Sequence, residues 1–391
     1  MDFNDPNSEA VVLVGGGFAG LNTAFALSRC QKPPKIILIE PRSRFIFFPL
    51  LFELLSGELM IWEVAPTYKS LIGNRGIALI TDSVEHIDTD RKIVSTSSGL
   101  KVNFSQVVIA TGTKSNNFLQ TNISKNAYTF CNFSDVQLLR NLINELKFKN
   151  KTINTLVIVG AGPTGVELAC KISDLLEKQI EIHLIEISGK ILANSKAFNQ
   201  SQAEIALQKR KIKIHLNTEI LSMSSNNVLL KDIKNNRFSI SHRGLIWTAG
   251  TRAFFPQITP QPLLIEGRLP IDYKLRVKEL PNVFALGDVA IDKDSPSPAT
   301  AQVAIQQAEI VASNVMALRT GNPLKAFQFK DFGEMLSLGI GQATITGRGI
   351  TLSGSLAYQI RRLTYLTKMP TISLGISSTV AWLISKKQKF K

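Results

Sequence analysis

The stretch Val11-Val-Leu-Val-Gly15-Gly-Gly-Phe-Ala-Gly20 decides the fold, because it recurs 145 residues later as Leu156-Val-Ile-Val-Gly160-Ala-Gly-Pro-Thr-Gly165. Each copy is an apolar run that breaks into three glycines and then continues in helical periodicity, to about Arg29 in the first and about Glu177 in the second. A second apolar run follows in each, Lys35 to Ile39 ending on Glu40, and Glu181 to Ile185 ending on Glu186. Each copy closes much later on a similar strand, VVIATG at Val107 to Gly112 and GLIWTAG at Gly244 to Gly250. The runs are continuously apolar, as expected of parallel strands covered by helices on both faces. The fold class is therefore α/β, with two Rossmann-like dinucleotide-binding domains.

Each glycine has a physical task. The first permits the tight strand-to-helix turn, the second lets backbone amides approach a pyrophosphate, and the third lets the helix pack against the strand. Here they are Gly15, Gly17 and Gly20, and then Gly160, Gly162 and Gly165. Glu40 and Glu186 stand twenty and twenty-one residues after the last glycine, placed to accept hydrogen bonds from an adenosine ribose. A lone turn of this kind is weak evidence and is often unliganded. Two copies with the acid correctly spaced imply two bound dinucleotides, most simply a flavin and a nicotinamide.

After the second copy, Asn282-Val-Phe-Ala-Leu-Gly-Asp288 reads as another buried strand, ending on Gly287 and Asp288. A proline-rich loop and a helix from Ala299 to about Leu318 should follow. The expected domains are 10–115 with 252–325 for the flavin, 116–251 for the nicotinamide, and 326–391 as a small C-terminal region.

The chain has 391 residues, 44% hydrophobic and 19% charged, which suits a folded enzyme with more than one core. Its 45 basic against 30 acidic residues leave a net charge of +15. No acid follows Glu334, whereas Arg348, Arg361, Arg362, Lys368, Lys386, Lys387, Lys389 and Lys391 do. Within that tail, Gly354 to Lys368 reads as an amphipathic helix, with Leu356, Ile360, Leu363 and Leu366 on one stripe and Arg361, Arg362 and Lys368 off it. Met369 to Ile384 is apolar but too short and polar for a confident spanning helix. A monotopic anchor on an anionic membrane is expected. The alternative is a small domain packed on the enzyme with a solvated tail, and a homodimer is compatible with either. Nucleic acid is not expected, since the basic segment is interleaved with aliphatics and carries no such module.

Cys30, Cys131 and Cys170 form no CxxC, which argues against a disulfide framework, a zinc site and a dithiol centre. His86, His183, His215 and His242 show no ligand spacing, so no metal is expected. The N-terminus shows neither signal nor transit pattern, which points to the cytosolic side.

These residues resemble the two-dinucleotide-binding-domain flavoproteins, and more narrowly the type II (non-proton-pumping) NAD(P)H:quinone oxidoreductases, from Val11 to the basic tail. The resemblance implies that the first glycine turn binds FAD and the second NADH or NADPH. Ala110-Thr111-Gly112 and Thr248-Ala249-Gly250 look like the family's crossover segments. Asp288 matches an acid that bonds the flavin's ribityl-phosphate region, and Pro49 and Leu50 lie in a stretch resembling one beside the isoalloxazine. Ala301-Gln-Val-Ala-Ile-Gln-Gln-Ala308 is similar to a helix under the flavin where a quinone approaches; Gln302 and Gln306 share one of its faces.

Glu167 matches a glutamate near the nicotinamide, where it would orient that ring or relay protons; a carboxylate that merely complements the helix dipole is the alternative. Hydride would pass from NAD(P)H to flavin, then two electrons to a membrane quinone of naphthoquinone or plastoquinone type. The wording resembles the cyanobacterial and plastid branch that includes demethylphylloquinone reductase, which implies the cytoplasmic face of a bacterial inner or thylakoid membrane. Glu186 should repel the 2′-phosphate of NADPH unless Lys190 or Lys196 accommodates it. A sulfide:quinone oxidoreductase is the nearest rival, but no cysteine follows Cys170; a non-catalytic flavin-binding redox sensor remains open.

Overall fold

The computed structural model describes residues 9–115, 127–147, 154–177, 179–371 and 374–379. Two compact units divide the chain: Met1–Phe45, Pro66–Lys114 and Thr251–Lys330 form one, and Ile46–Ala65, Ser115–Gly250 and Asp331–Lys391 the other.

In the first unit five parallel strands stand in the order Val283–Ala285, Gln106–Ile109, Val11–Val14, Ile36–Ile39, Ile77–Ile80. Val11–Val14 and Ile36–Ile39 are buried at every position, which is why their sequences do not alternate. The helix Phe18–Ser28 packs against the helix Ala301–Thr320. That second helix starts and stops two residues later than its sequence suggests. Thr300 caps it by accepting the Val303 N–H, and Gly321 ends it in the left-handed conformation at φ 70°.

The second unit holds four parallel strands in the order Lys213–His215, Glu181–Ile185, Thr155–Val159, Gly244–Trp247. An antiparallel meander of Glu219–Met223, Asn227–Lys231 and Arg237–Ser241 closes one face through Val157, Val159, Ile185, Met223, Val228, Leu230 and Trp247. A second meander, Glu334–Ser337, Ala343–Gly347 and Ile350–Ser353, leads into the helix Gly354–Thr367. Ala343, Ala357 and Tyr358 form the core between them.

The predicted amphipathic helix is present, but its buried side is unexpected. Of the expected apolar stripe, Leu356 and Leu363 are 60% and 46% exposed and Ile360 is partly buried, whereas Leu366 is buried together with Ala357, Tyr358 and Arg361. No helix among the described residues is long and apolar enough to cross a membrane. The apolar stretch Met369 to Ile384 lies only partly within the described residues, and the basic cluster from Lys386 lies outside them.

Candidate functional site

In the first unit the glycine turn sits at the C-terminal end of the central strand, where open α/β sheets bind ligands. Gly15 has φ +97°, and a Cβ there would stand 2.7 Å from Ala110 O. A Cβ on Gly20 would lie 1.8 Å from Gly15 O, which seals helix against strand. A Cβ on Gly17 would meet nothing within 4 Å, so that backbone faces open space. Gly17 also begins the helix with no side-chain cap, leaving the first-turn N–H groups for an anion. The arrangement fits a pyrophosphate.

Glu40, 2% exposed, accepts the Gly16 N–H at 2.6 Å and three hydrogen bonds from Arg42. Burial would raise its pKa, but the Arg42 bonds and charge and the two amides hold it below the usual carboxylate range. Ala110 packs beneath the turn, Thr111 Oγ1 donates to Phe254 O, and Gly112 O accepts the Phe254 N–H at 3.1 Å. Gly287 donates its N–H at 2.7 Å to Gln307 Oε1, and a short 3-10 turn carries Asp288. Burial raises Asp288, with Arg268 opposing.

Gln302 and Gln306 lie on one helix in this unit, and the amide of Gln306 is engaged twice with the Lys330 backbone, at 2.9 and 3.0 Å. Sequence reasoning passed over Gln307, the buried glutamine that fixes the Gly287 turn. A helical count from Val303 and Val311 to the buried face would have found it.

The second unit repeats the main features of this geometry. Gly160 also has φ +97°, a Cβ on Gly165 would lie 1.8 Å from Gly160 O, and Gly162 again faces open space and starts an uncapped helix, Pro163–Leu175. The acid plays the same part as Glu40: Glu186 Oε2 accepts the Ala161 N–H at 2.7 Å, and Oε1 takes the N–H and hydroxyl of Ser188. Oε2 keeps a lone pair for a ribose hydroxyl. Thr248 Oγ1 donates to Val159 O at 2.7 Å, and Ala249 O accepts the Trp247 indole N–H at 2.7 Å. Gly250 is the last residue of this stretch of the unit. Lys196, a candidate cation for a 2′-phosphate, is paired with Asp331 at 2.7 Å.

Pro49 and Leu50 belong to this second unit, in a 3-10 turn that continues into the helix Leu51–Leu55. That helix brings Glu53 into a buried charge layer with Glu167 and Lys171 of the helix Pro163–Leu175 and Tyr358 and Arg361 of the helix Gly354–Thr367. Arg361 donates to Glu53 Oε1 at 2.5 Å and to Pro49 O at 2.7 Å, and stands 3.7 Å from Glu167 Oε1. Lys171 and Tyr358 both hold Glu58, at 2.6 and 2.5 Å.

Glu167 accepts the Ser337 N–H at 2.6 Å and is 6% exposed. Burial is the largest effect on it, and raises its pKa to about 7 against the pull of Arg361. Hence a carboxyl near a helix start exchanges its proton close to neutral pH, which a plain dipole-complementing glutamate would not do. Of these residues the sequence singled out Glu167; Glu53, Glu58 and Lys171 gave no signal.

The pyridine nucleotide-disulphide oxidoreductase family model matches residues 9–308. Demethylphylloquinone reductase NdbB of Synechocystis sp. is 33% identical, over 95% of this chain and 95% of its own. An alternative NAD(P)H-ubiquinone oxidoreductase C1, chloroplastic/mitochondrial, of Arabidopsis thaliana is 31% identical, over 97% of this chain and 81% of its own. Among solved structures, NDH2 from Plasmodium falciparum in complex with NADH superposes with a TM-score of 0.85 at 19% identity, covering 97% of this chain and 98% of that one, a likeness of fold. Twinned dinucleotide cradles and these matches lead to one conclusion: the chain belongs to the pyridine nucleotide-disulphide oxidoreductases, and within them to the type II NAD(P)H:quinone oxidoreductases.

Proposed function

We propose that the protein takes a hydride from NADH or NADPH onto FAD and passes two electrons to a membrane quinone, without pumping protons. The observation that carries this reading is the pair of similar glycine cradles, each with an open second glycine, a sealed third and an acid on the turn amide. Residues 10–115 and 252–325 would hold FAD, and 116–251 NAD(P)H. Bound there, FAD supplies the two-electron relay that no side chain can.

The chain's own residues bind and position. Gly15, Gly17, Gly20, Ala110, Thr111, Gly112, Gly287 and Asp288 seat the flavin nucleotide. Gly160, Gly162, Gly165, Glu186, Thr248, Ala249 and Gly250 seat the nicotinamide nucleotide, and Glu186 disfavours a 2′-phosphate. Pro49 and Leu50 shape the flavin's surroundings, Gln302 and Gln306 receive the quinone, and Glu167 holds a proton for quinone reduction. The relative named for demethylphylloquinone supports a naphthoquinone over a benzoquinone.

Residues 326–391 serve as the membrane-associating or dimerising region, at the cytoplasmic face of a bacterial inner or thylakoid membrane. The exposed Leu356, Leu363 and Ile376, with Lys368 close by in sequence, support an interfacial helix on anionic lipid. The test is a steady-state panel crossing NADH and NADPH with naphthoquinones and benzoquinones. Turnover with NADH and a naphthoquinone is expected. A flavin bleached by NADH that no quinone reoxidises would instead mark a redox sensor.

The rival sulfide chemistry finds no support in the thiols. Cys170 is buried, with its thiol pushed up to about 12 by that burial, and Cys30 and Cys131 lie far apart in sequence.

A further inference from the structure

In the second unit three carboxylates, the buried Glu53 and Glu167 and the partly buried Glu58, stand against two buried cations, Arg361 and Lys171. Glu58 has its own cation, Lys171 at 2.6 Å, and is further held by Tyr358 and Ser56. Burial would raise it, but Lys171 and these hydroxyls keep it below the usual carboxylate range. One cation therefore remains for two acids. Arg361 meets Glu53 at 2.5 Å and Glu167 only at 3.7 Å. We infer that Glu53 is a positioning residue, which by engaging Arg361 keeps that guanidinium off Glu167 and leaves the layer's surplus proton on Glu167.

Two observations make the partner choice reversible. Arg361 is 1% exposed yet its Nε donates no hydrogen bond, and Glu53 Oε2 accepts none. A buried pair with groups left unsatisfied is not at its best geometry, so a short swing of the guanidinium toward Glu167 exchanges one incomplete pair for another. Arg361 Nη2, the nitrogen nearer Glu167, is also the donor to Pro49 O. The same guanidinium thus ties the proton-holding site to the turn proposed to lie beside the flavin.

Among the described residues, the groups facing Glu167 are few. They are Lys171 and Cys170 on its own helix, Glu53 on Leu51–Leu55, Arg361 and Tyr365 on Gly354–Thr367, and the Ser337 N–H from the strand Glu334–Ser337. Only Glu53 among them both repels a Glu167 carboxylate and engages its nearest cation.

This inference rests on the proposed proton role of Glu167 only for its functional meaning, so the test reads protonation directly. Infrared difference spectra of the FAD-loaded full chain, recorded across pH, follow the protonated carboxyl C=O band that disappears in Glu167→Gln. In Glu53→Gln, which is nearly isosteric, the midpoint of that band should fall by about one pH unit, a tenfold loss of proton affinity. In the double variant Glu53→Gln/Arg361→Met no guanidinium is present to take over, and the midpoint should rise above that of the unaltered protein. An unmoved midpoint in Glu53→Gln, or a fall in both variants, overturns the inference. If Glu53→Gln does not fold, the double variant decides alone: a rise supports the inference and any other result overturns it. Should the midpoint move as expected while the pH profile of quinone turnover stays fixed, the catalytic reading of Glu167 fails and the role of Glu53 stands.

Discussion

Substituting Gly165 by Ala tests the claim that two equivalent cradles seat two different nucleotides. The new Cβ would stand 1.8 Å from Gly160 O and 2.9 Å from Thr248 Oγ1, where real Cβ contacts do not fall under 3.0 Å. Gly160 O belongs to the turn itself, so no side chain can rotate away; the helix must move off the strand by about an ångström. Overpacking of this severity costs roughly 3 kcal/mol, at the upper end for inserted methyls. For a unit of this size that lowers Tm by about 6–12 °C. A 1 Å displacement of the amides that hold a pyrophosphate weakens productive binding about 100-fold.

The assay is NADH titration of the FAD-loaded enzyme, beside a melt of each sample. Gly20→Ala meets Gly15 O at the same 1.8 Å and serves as the internal comparison. Gly165→Ala should keep its flavin and lose NADH affinity, whereas Gly20→Ala should lose FAD on gel filtration. Wild-type NADH affinity and Tm in Gly165→Ala would refute the reasoning, as would loss of the same nucleotide from both variants.

Glu186→Gln removes the charge proposed to disfavour a 2′-phosphate while keeping an acceptor for the Ala161 amide; the kcat/KM ratio of NADPH to NADH should rise about tenfold, roughly 1.4 kcal/mol. Glu167 has a folded pKa raised from 4.5 to about 7, so the fold favours its protonated form: its contribution to stability is full below pH 4.5 and lost as pH rises through 7. Denaturant midpoints should therefore drop across that window in the unaltered protein relative to Glu167→Gln, and parallel curves would count against a buried proton. Lys171→Met leaves Glu58 without its cation in the buried layer and should destabilise by about 3–5 kcal/mol, with much of this recovered in Lys171→Met/Glu58→Gln, as measured by urea unfolding.

The duplicated turn was legible because its information is local. Strand, glycine spacing and acid all lie within one stretch of chain, and the open Cβ position of Gly17 and the closed one of Gly20 recur at Gly162 and Gly165. The buried charge layer was not legible as a layer, because its members come from three distant helices and all but Glu167 read as ordinary solvent-facing polar residues on their own. Arg361 falls off the apolar stripe of its helix, which by pattern faces it to solvent or lipid. In the fold it is buried against Glu53, and Leu356 and Leu363 of the stripe are the exposed side. Lys171, with no exposed surface, was equally hidden among the polar positions of the helix Pro163–Leu175. Residues 46–65, contiguous in sequence with the first cradle, cluster with the second unit because their partners Arg140, Lys171 and Arg361 lie there.

An anaerobic titration of the purified chain with NADH, followed at the flavin absorbance and completed by adding a naphthoquinone, tests the account at its root. It predicts one FAD per chain, bleached by one equivalent of NADH and restored by the quinone. A protein that holds no FAD after reconstitution, or a flavin that NADH leaves oxidised, would contradict it.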